Sequence, residues 1–251
     1  MKISHELLVP NSDLRGINLS SKNLKNLNLK GSDLSGSNLK ETQLTFANLS
    51  RSCLQNSNMK DADLYKSNLA YSDISHANLN GARISCSKLH YTNLNHSSLK
   101  WTKLDRSILN HVSLVGSLLS HAMLESSEIR HAILIRADFS HANLRDAELD
   151  FSDLTAAKLN HINLRRASAK STNLCGASVI EADLQGADLR KSNLQGSNFT
   201  GARLQFADLR GAIMNNVNLR NADLSHADLT GANLSGANLR GAKLHLTKMP
   251  K

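Results

Sequence analysis

Proline, aromatic rings and cysteine are all scarce in this chain, and each scarcity narrows what it can be. Only two prolines occur in 251 residues, Pro10 and Pro250, so the interior carries no proline-imposed breaks. Aromatic residues make up 4% of the chain, with a single tryptophan, which excludes a core built on large rings. The 40% hydrophobic content argues against disorder. The three cysteines, Cys53, Cys86 and Cys175, are too few for a disulfide scaffold. All three are expected on outward positions; Cys53 and Cys175 share a side but stand about six coils apart, too far to pair, and unpaired thiols fit a reducing compartment.

No apolar run reaches the ~18 residues of a membrane-spanning helix. The opening segment "MKISHELLVPNSD" lacks the apolar region and cleavage site of a signal peptide. A cytoplasmic chain is the expectation, with a secreted effector as an alternative. Nor is there a glycine-rich phosphate loop, an HExxH pair or a nucleophile elbow. The sequence therefore points away from an enzyme, and no cofactor is expected.

What the chain has instead is a period. From Leu14 to Leu244 every fifth residue is apolar without a slip, in 47 positions of which 38 are Leu. The exceptions are Met59, Ile74, Ile84, Ile129, Phe139, Ala169, Val179, Phe199 and Met214. Two residues before each central position stands Ala, Ser or Thr in 41 of the 47 cases, and Asn or Asp commonly fills the place between. Five matches neither the 3.6 of a helix nor the 2 of a strand. It fits a chain that bends every five residues, pointing one large and one small side chain inward. Four such sides would close a coil of 20 residues, with coils spaced ~4.8 Å and a rod roughly 55 Å long. The small Ala169 leaves the apolar column short of volume, so a cavity or kink is expected near it.

The recurrent Ala/Ser–Asp/Asn–Leu pattern, as in "ADLSHADLTGANLSGANLRGAKL" (222–244), resembles the pentapeptide repeat family over Ser12 to about Met249. That resemblance implies an all-β fold, a right-handed quadrilateral parallel β-helix of about 12 coils. Residues 1–11 would form an N-terminal cap segment, and 12–249 a single uninterrupted solenoid.

The stretch Ser113–Arg136, "SLVGSLLSHAMLESSEIRHAILIR", is ordinary on its inward side and unusual on its outward one. From Arg83 to Ile133 only one of the eleven residues preceding a central position is Asn, and four are large apolar residues. The 20-residue coil would stack Tyr71, Tyr91, His111, His131 and Phe151 into one ladder. Trp101, His121, His141 and His161 would form another. Leu118, Met123, Val115, Ile133 and Ile135 would add aliphatic surface to a patch around the middle coils. Contiguous exposed patches mark partner sites, though such ladders also stabilise a rod by stacking alone, at about 0.5–1.5 kcal/mol per aromatic pair.

The function expected is a non-enzymatic protein-interaction solenoid presenting this side face to a protein partner. A net charge of +9 favours acidic faces. Some members of the resembled family mimic DNA and bind DNA gyrase. That alternative is disfavoured by the positive charge and by basic columns such as Lys170, Arg190 and Arg210. Binding of nucleic acid or an anionic surface is a weaker alternative, because no aromatic residues interleave with those columns. His121, His141 and His161 are weak candidates for a metal, with no obvious carboxylate or thiol to complete the set. Unpaired strand edges at the rod ends make either a monomer or an end-to-end dimer through the C-terminal coil the expected state, with Leu246 and Met249 near such a contact.

Overall fold

The computed structural model describes residues 8–250. Their regular structure consists of isolated parallel β-bridges separated by two-residue turns. Every bridge joins a residue to the one 20 positions on, as in Asp13↔Asp33, Asn18↔Asn38, Asn23↔Gln43 and Asn28↔Asn48. Four ladders therefore run along a β-helix solenoid whose coil takes 20 residues. The bridge residue is in each case the one before the central apolar position.

A count of the five N–H groups in one repeat explains the consensus. The central residue donates to the next coil, as Leu14 does to the Asp33 carbonyl at 2.7 Å. The bridge residue donates to the preceding coil, as Asp33 does to Ser12 O at 2.9 Å. The second turn residue donates forward, as Gly16 does to Ser35 O at 2.9 Å. The residue after it closes a β-turn onto the central carbonyl, as in Ile17 N–H to Leu14 O at 3.2 Å. Only the N–H of the first turn residue has no backbone acceptor. The Asn or Asp side chain two residues earlier accepts it, as Asn18 Oδ1 does from Ser20 at 3.1 Å. The preference for Asn and Asp is thus the need to satisfy one backbone donor per repeat.

The second turn residue always has positive φ, between 52° and 73°, the pattern of a type II turn. All 13 glycines of the chain occupy this position, and 35 non-glycine residues share it.

The core is the central column with the small residues two places before it. Leu34, Leu64, Leu114, Leu134 and Leu219 are fully buried, and Phe139 and Phe199 are the largest enclosed side chains. Buried hydroxyls two places before a central residue bond main-chain carbonyls, as Thr42 Oγ1 does to Leu19 O at 2.9 Å. A column of leucines, each contributing about 1.5–3 kcal/mol on burial, replaces the missing aromatic core.

Around Ala169 the structure contains an apolar cavity of about 20 Å³, lined by Leu149, Leu164, Leu174 and Leu189 among others. The Ala169 side chain leaves unfilled the place that Leu149 and Leu189 occupy one coil either side. At the N-terminal end Leu8 joins the core, and Ile17 and Leu27 pack against it partly buried. Leu7, expected in the cap, lies outside the described residues. At the other end the core is open: Leu244, Leu246 and Met249 are exposed, and Leu234 and Leu239 only half-buried. Among the described residues no helix is long and apolar enough to cross a membrane.

Candidate functional site

The 20-residue register brings the expected rings together. Tyr71, Tyr91, His111, His131 and Phe151 form one continuous stack, with centroids 5.1, 4.5, 5.1 and 5.0 Å apart and rings within 7° of parallel. Trp101, His121, His141 and His161 form the second, at 4.0, 4.9 and 4.7 Å. All nine rungs sit at the positive-φ position, where the side chain leaves the coil outward. Tyr71, Tyr91, Trp101 and Phe151 stay at least half exposed. The two stacks lie half a coil apart.

The aliphatic residues do not join them into one surface. Ile133 lies between Ser113 and Asp153 on one bridge ladder, Leu118 between Ser98 and Asp138 on a second, and Met123 between Lys103 and Asn143 on a third. Val115 and Ile135 are half-buried beside the ladder that carries Ile133. Five residues advance the chain by one side of the coil, so apolar residues close in sequence face different directions. The middle coils thus carry two ring-lined edges, with the aliphatic side chains divided among three ladders and only Val115, Ile133 and Ile135 grouped together.

The basic column is a row of ion pairs. Lys170 Nζ lies 3.0 Å from Asp150, Arg190 holds Asp188 through two hydrogen bonds of 2.9 and 2.6 Å, and Arg210 holds Asp208 at 2.8 and 2.6 Å. Burial pushes the Asp188 carboxyl up, but the hydrogen bonds from Arg190 outweigh it and hold the group below the usual carboxylate range. These part-exposed pairs neutralise the column as an anion track.

The histidine column shows no convergence on a metal. Its imidazoles lie flat on one another, so their nitrogens are held a rung apart. Among the described residues no group of three or more His, Cys, Asp or Glu could hold an ion. Its last member, His161, places Nδ1 3.4 Å from Glu181. The three thiols are free and half-buried.

Sequence reasoning missed a second aromatic cluster, in which Arg83 lies 4.3 Å over the Tyr65 ring, Phe46 meets Tyr65 edge-on at 6.3 Å, and Lys66 approaches both rings. It also missed the stacked pairs His76–His96 and Phe206–His226. The same 20-residue spacing would have found those two pairs.

The family model described as Pentapeptide repeats (8 copies) matches residues 11–40, 23–61, 42–81, 62–100, 124–160, 132–168, 147–185, 180–216 and 212–249. No curated protein sequence matches the chain closely enough to lend it a role. Among solved structures, HetL is a pentapeptide repeat protein involved in heterocyst differentiation regulation from the cyanobacterium Nostoc sp. strain PCC 7120. It is 28% identical over 94% of this chain and 92% of its own, with a TM-score of 0.34. QnrB1, a plasmid-mediated fluoroquinolone resistance protein, is 16% identical over 91% of each chain, with a TM-score of 0.30. A pentapeptide repeat protein from the Arabidopsis thaliana thylakoid lumen is 24% identical over 53% of this chain and 69% of its own, with a TM-score of 0.22. The fold rests on the bridge pattern and the family match rather than on these superpositions.

Proposed function

The chain belongs to the pentapeptide repeat family, and on that footing we propose that it is a non-enzymatic interaction solenoid whose middle coils dock a protein partner. The four bridge ladders are read as the sides of a right-handed quadrilateral coil repeated about 12 times, which the 20-residue bridge interval supports. The observation that carries the function is the exposed stack from Tyr71 to Phe151. Five rings in one line leave their edges open to solvent where most repeats carry small or polar residues. Rings at the centre of an interface supply large contact area at little entropy cost. A mimic of DNA would need a negative surface, and the net charge of +9 opposes that reading. Free thiols support a reducing, cytoplasmic setting. Exposed Leu246 and Met249 on the last described coil support end-to-end pairing of two copies, which sedimentation over a range of concentrations would test.

Replacing Tyr91, His111 and His131 together by Ser tests the docking role. Loss of captured partners, with the fold retained by circular dichroism, supports it. If only thermal stability falls and every partner is retained, the ladder is structural and the proposal fails.

A further inference from the structure

The two ring ladders begin differently. At the N-terminal end of the first, the Arg51 guanidinium lies 5.4 Å over the Tyr71 ring and covers its outer face. The second begins at Trp101, whose preceding rung is Gly81, a residue with no side chain. The indole lies flat on His121 at 4.0 Å and 2°, so one face is covered and the other looks onto the missing rung. Its exposure is 60%. Two coil steps, about 9.6 Å, separate Trp101 from Asp61, the next rung bearing a side chain. Rungs in these ladders stack at 4.0–5.1 Å, so a planar group at the Gly81 level would match the spacing, with the Asp61 carboxylate reaching that level on the backbone side.

Other rings also end their stacks with an open face, and the residue two rungs away separates them. For Phe151 it is Lys191 and for Phe206 it is Arg166, both cations. Of these three rings Trp101 is the one that faces a carboxylate, and Asp61 leans over Gly81 with Oδ1 against the place a Cβ would take.

The surrounding charge sets the ligand class. Lys100 and Lys103 flank Trp101, and Lys60 adjoins Asp61. All three are exposed and have no ion pair among the described residues. Three free ammonium groups repel a cationic side chain and attract an anion. The occupant that satisfies every group is flat, offers N–H donors at its edge and carries negative charge outside the ring.

We propose that the Gly81 gap is a nucleotide-binding notch: a base stacks on Trp101, gives its N–H edge to Asp61, and carries its phosphate to Lys100 and Lys103. This site is independent of the protein-docking role. Guanine suits it, since its Watson–Crick edge presents two adjacent donors. The same chemistry comes from a free nucleotide or from an unpaired base in a single strand, where stacking on aromatic rings is a general mode of binding.

Trp101 is the only tryptophan, so its fluorescence reports the site directly. The full chain is titrated at about 50 mM salt with GMP, with guanosine, and with a short guanine-containing single-stranded oligonucleotide. Saturable quenching by GMP, weaker with guanosine, supports a free nucleotide; saturation by the oligonucleotide alone supports a strand. Gly81→His restores a ring to the gap and should weaken binding about tenfold or more. Lys100→Ala with Lys103→Ala should weaken it and flatten the salt dependence, which tests the site even if the glycine variant folds poorly. Absence of quenching by either phosphate-bearing probe, quenching indifferent to both variants, or preferential quenching by arginine amide would overturn the proposal.

Discussion

Asn80 reaches forward one coil to the backbone of Lys100, where its Oδ1 accepts the Lys100 N–H at 2.9 Å and the Ser98 hydroxyl at 2.7 Å. The same contact recurs from Asn95 to Val115, Asp105 to Glu125, Asn110 to Arg130, Asp150 to Lys170 and Asn160 to Ile180. In all six cases the bridge residue that would ordinarily accept that N–H is neither Asn nor Asp: Ser98, Ser113, Met123, Glu128, Ser168 and Ser178. A side chain on the preceding coil has taken over the acceptor's task.

Asn80→Ala should therefore destabilise the rod by about 1 kcal/mol, chiefly through the orphaned Lys100 N–H, since the Ser98 hydroxyl can rotate to another acceptor. Adding Ser98→Asn should restore most of the loss, because the new side chain can accept the same N–H from within its own repeat. Asn215 is the control. Asn233 already holds the Ser235 N–H at 3.0 Å, and the Asn215 oxygen is buried without a partner. Asn215→Ala should leave stability unchanged or raise it. Urea denaturation of the three variants beside the parent chain decides, and failure of the Ser98→Asn rescue would refute the exchange of acceptors.

Filling the void at Ala169 should stabilise the chain. At about 24 cal/mol per Å³ of cavity, 20 Å³ corresponds to roughly 0.5 kcal/mol, with further gain from the added apolar surface. Ala169→Leu should raise the denaturation midpoint, whereas Leu149→Ala should lower stability by about 2–5 kcal/mol. A lower midpoint for Ala169→Leu would show that the wall cannot accept the larger side chain.

Glycine should help where it ordinarily harms. Ala156 is exposed and held at φ 55°, a conformation that costs a residue bearing a Cβ about 1–2 kcal/mol. Ala156→Gly relieves that strain against a smaller loss to chain entropy. The expected outcome is a net gain of up to about 1 kcal/mol by thermal melting, and a loss of stability would contradict the assigned backbone.

Acid should unfold the rod through its turn carboxylates. Hydrogen bonds from Thr230 hold the Asp228 carboxyl down at about 2, and bonds from Arg15 hold Asp13 equally low. Hydrogen bonds from Ser35 lower Asp33 likewise. A carboxyl whose folded pKa is depressed contributes stability that is complete above about 4 and lost as the pH falls toward 2. Melting temperature measured from pH 7 to 2 should stay level on this account and then fall below 4. Asp33→Asn with Asp228→Asn keeps the acceptors uncharged and should flatten that fall.

The period of five made the core legible before any coordinates, because an inward column of leucines has to repeat with the bend of the chain. The ring ladders were legible too, since Tyr91 and His111 differ by one coil. Less of the surface could be read. The acceptor exchange at Asn80 depends on a residue 18 positions away, an offset that matches neither period. The charges on Arg190 and Arg210 look free in a column, yet the aspartates that pair with them stand two residues earlier on the adjoining ladder. Leu118, Met123 and Ile133 look like one patch along the chain and occupy three ladders in space.

Core and surface therefore keep different reading frames. Removing one repeat between Trp101 and His111, five residues, would leave the leucine column intact and the rod folded, but every outward residue beyond the deletion would move to the neighbouring side. Tyr91 would no longer meet His111, and Trp101 would lose its imidazoles. Inside the ladders, only gains or losses of a whole coil, the 20-residue bridge interval, leave both in register. A lineage can lengthen this rod in steps of five at either end and keep its face, but between Tyr71 and His161 it can do so only in steps of twenty.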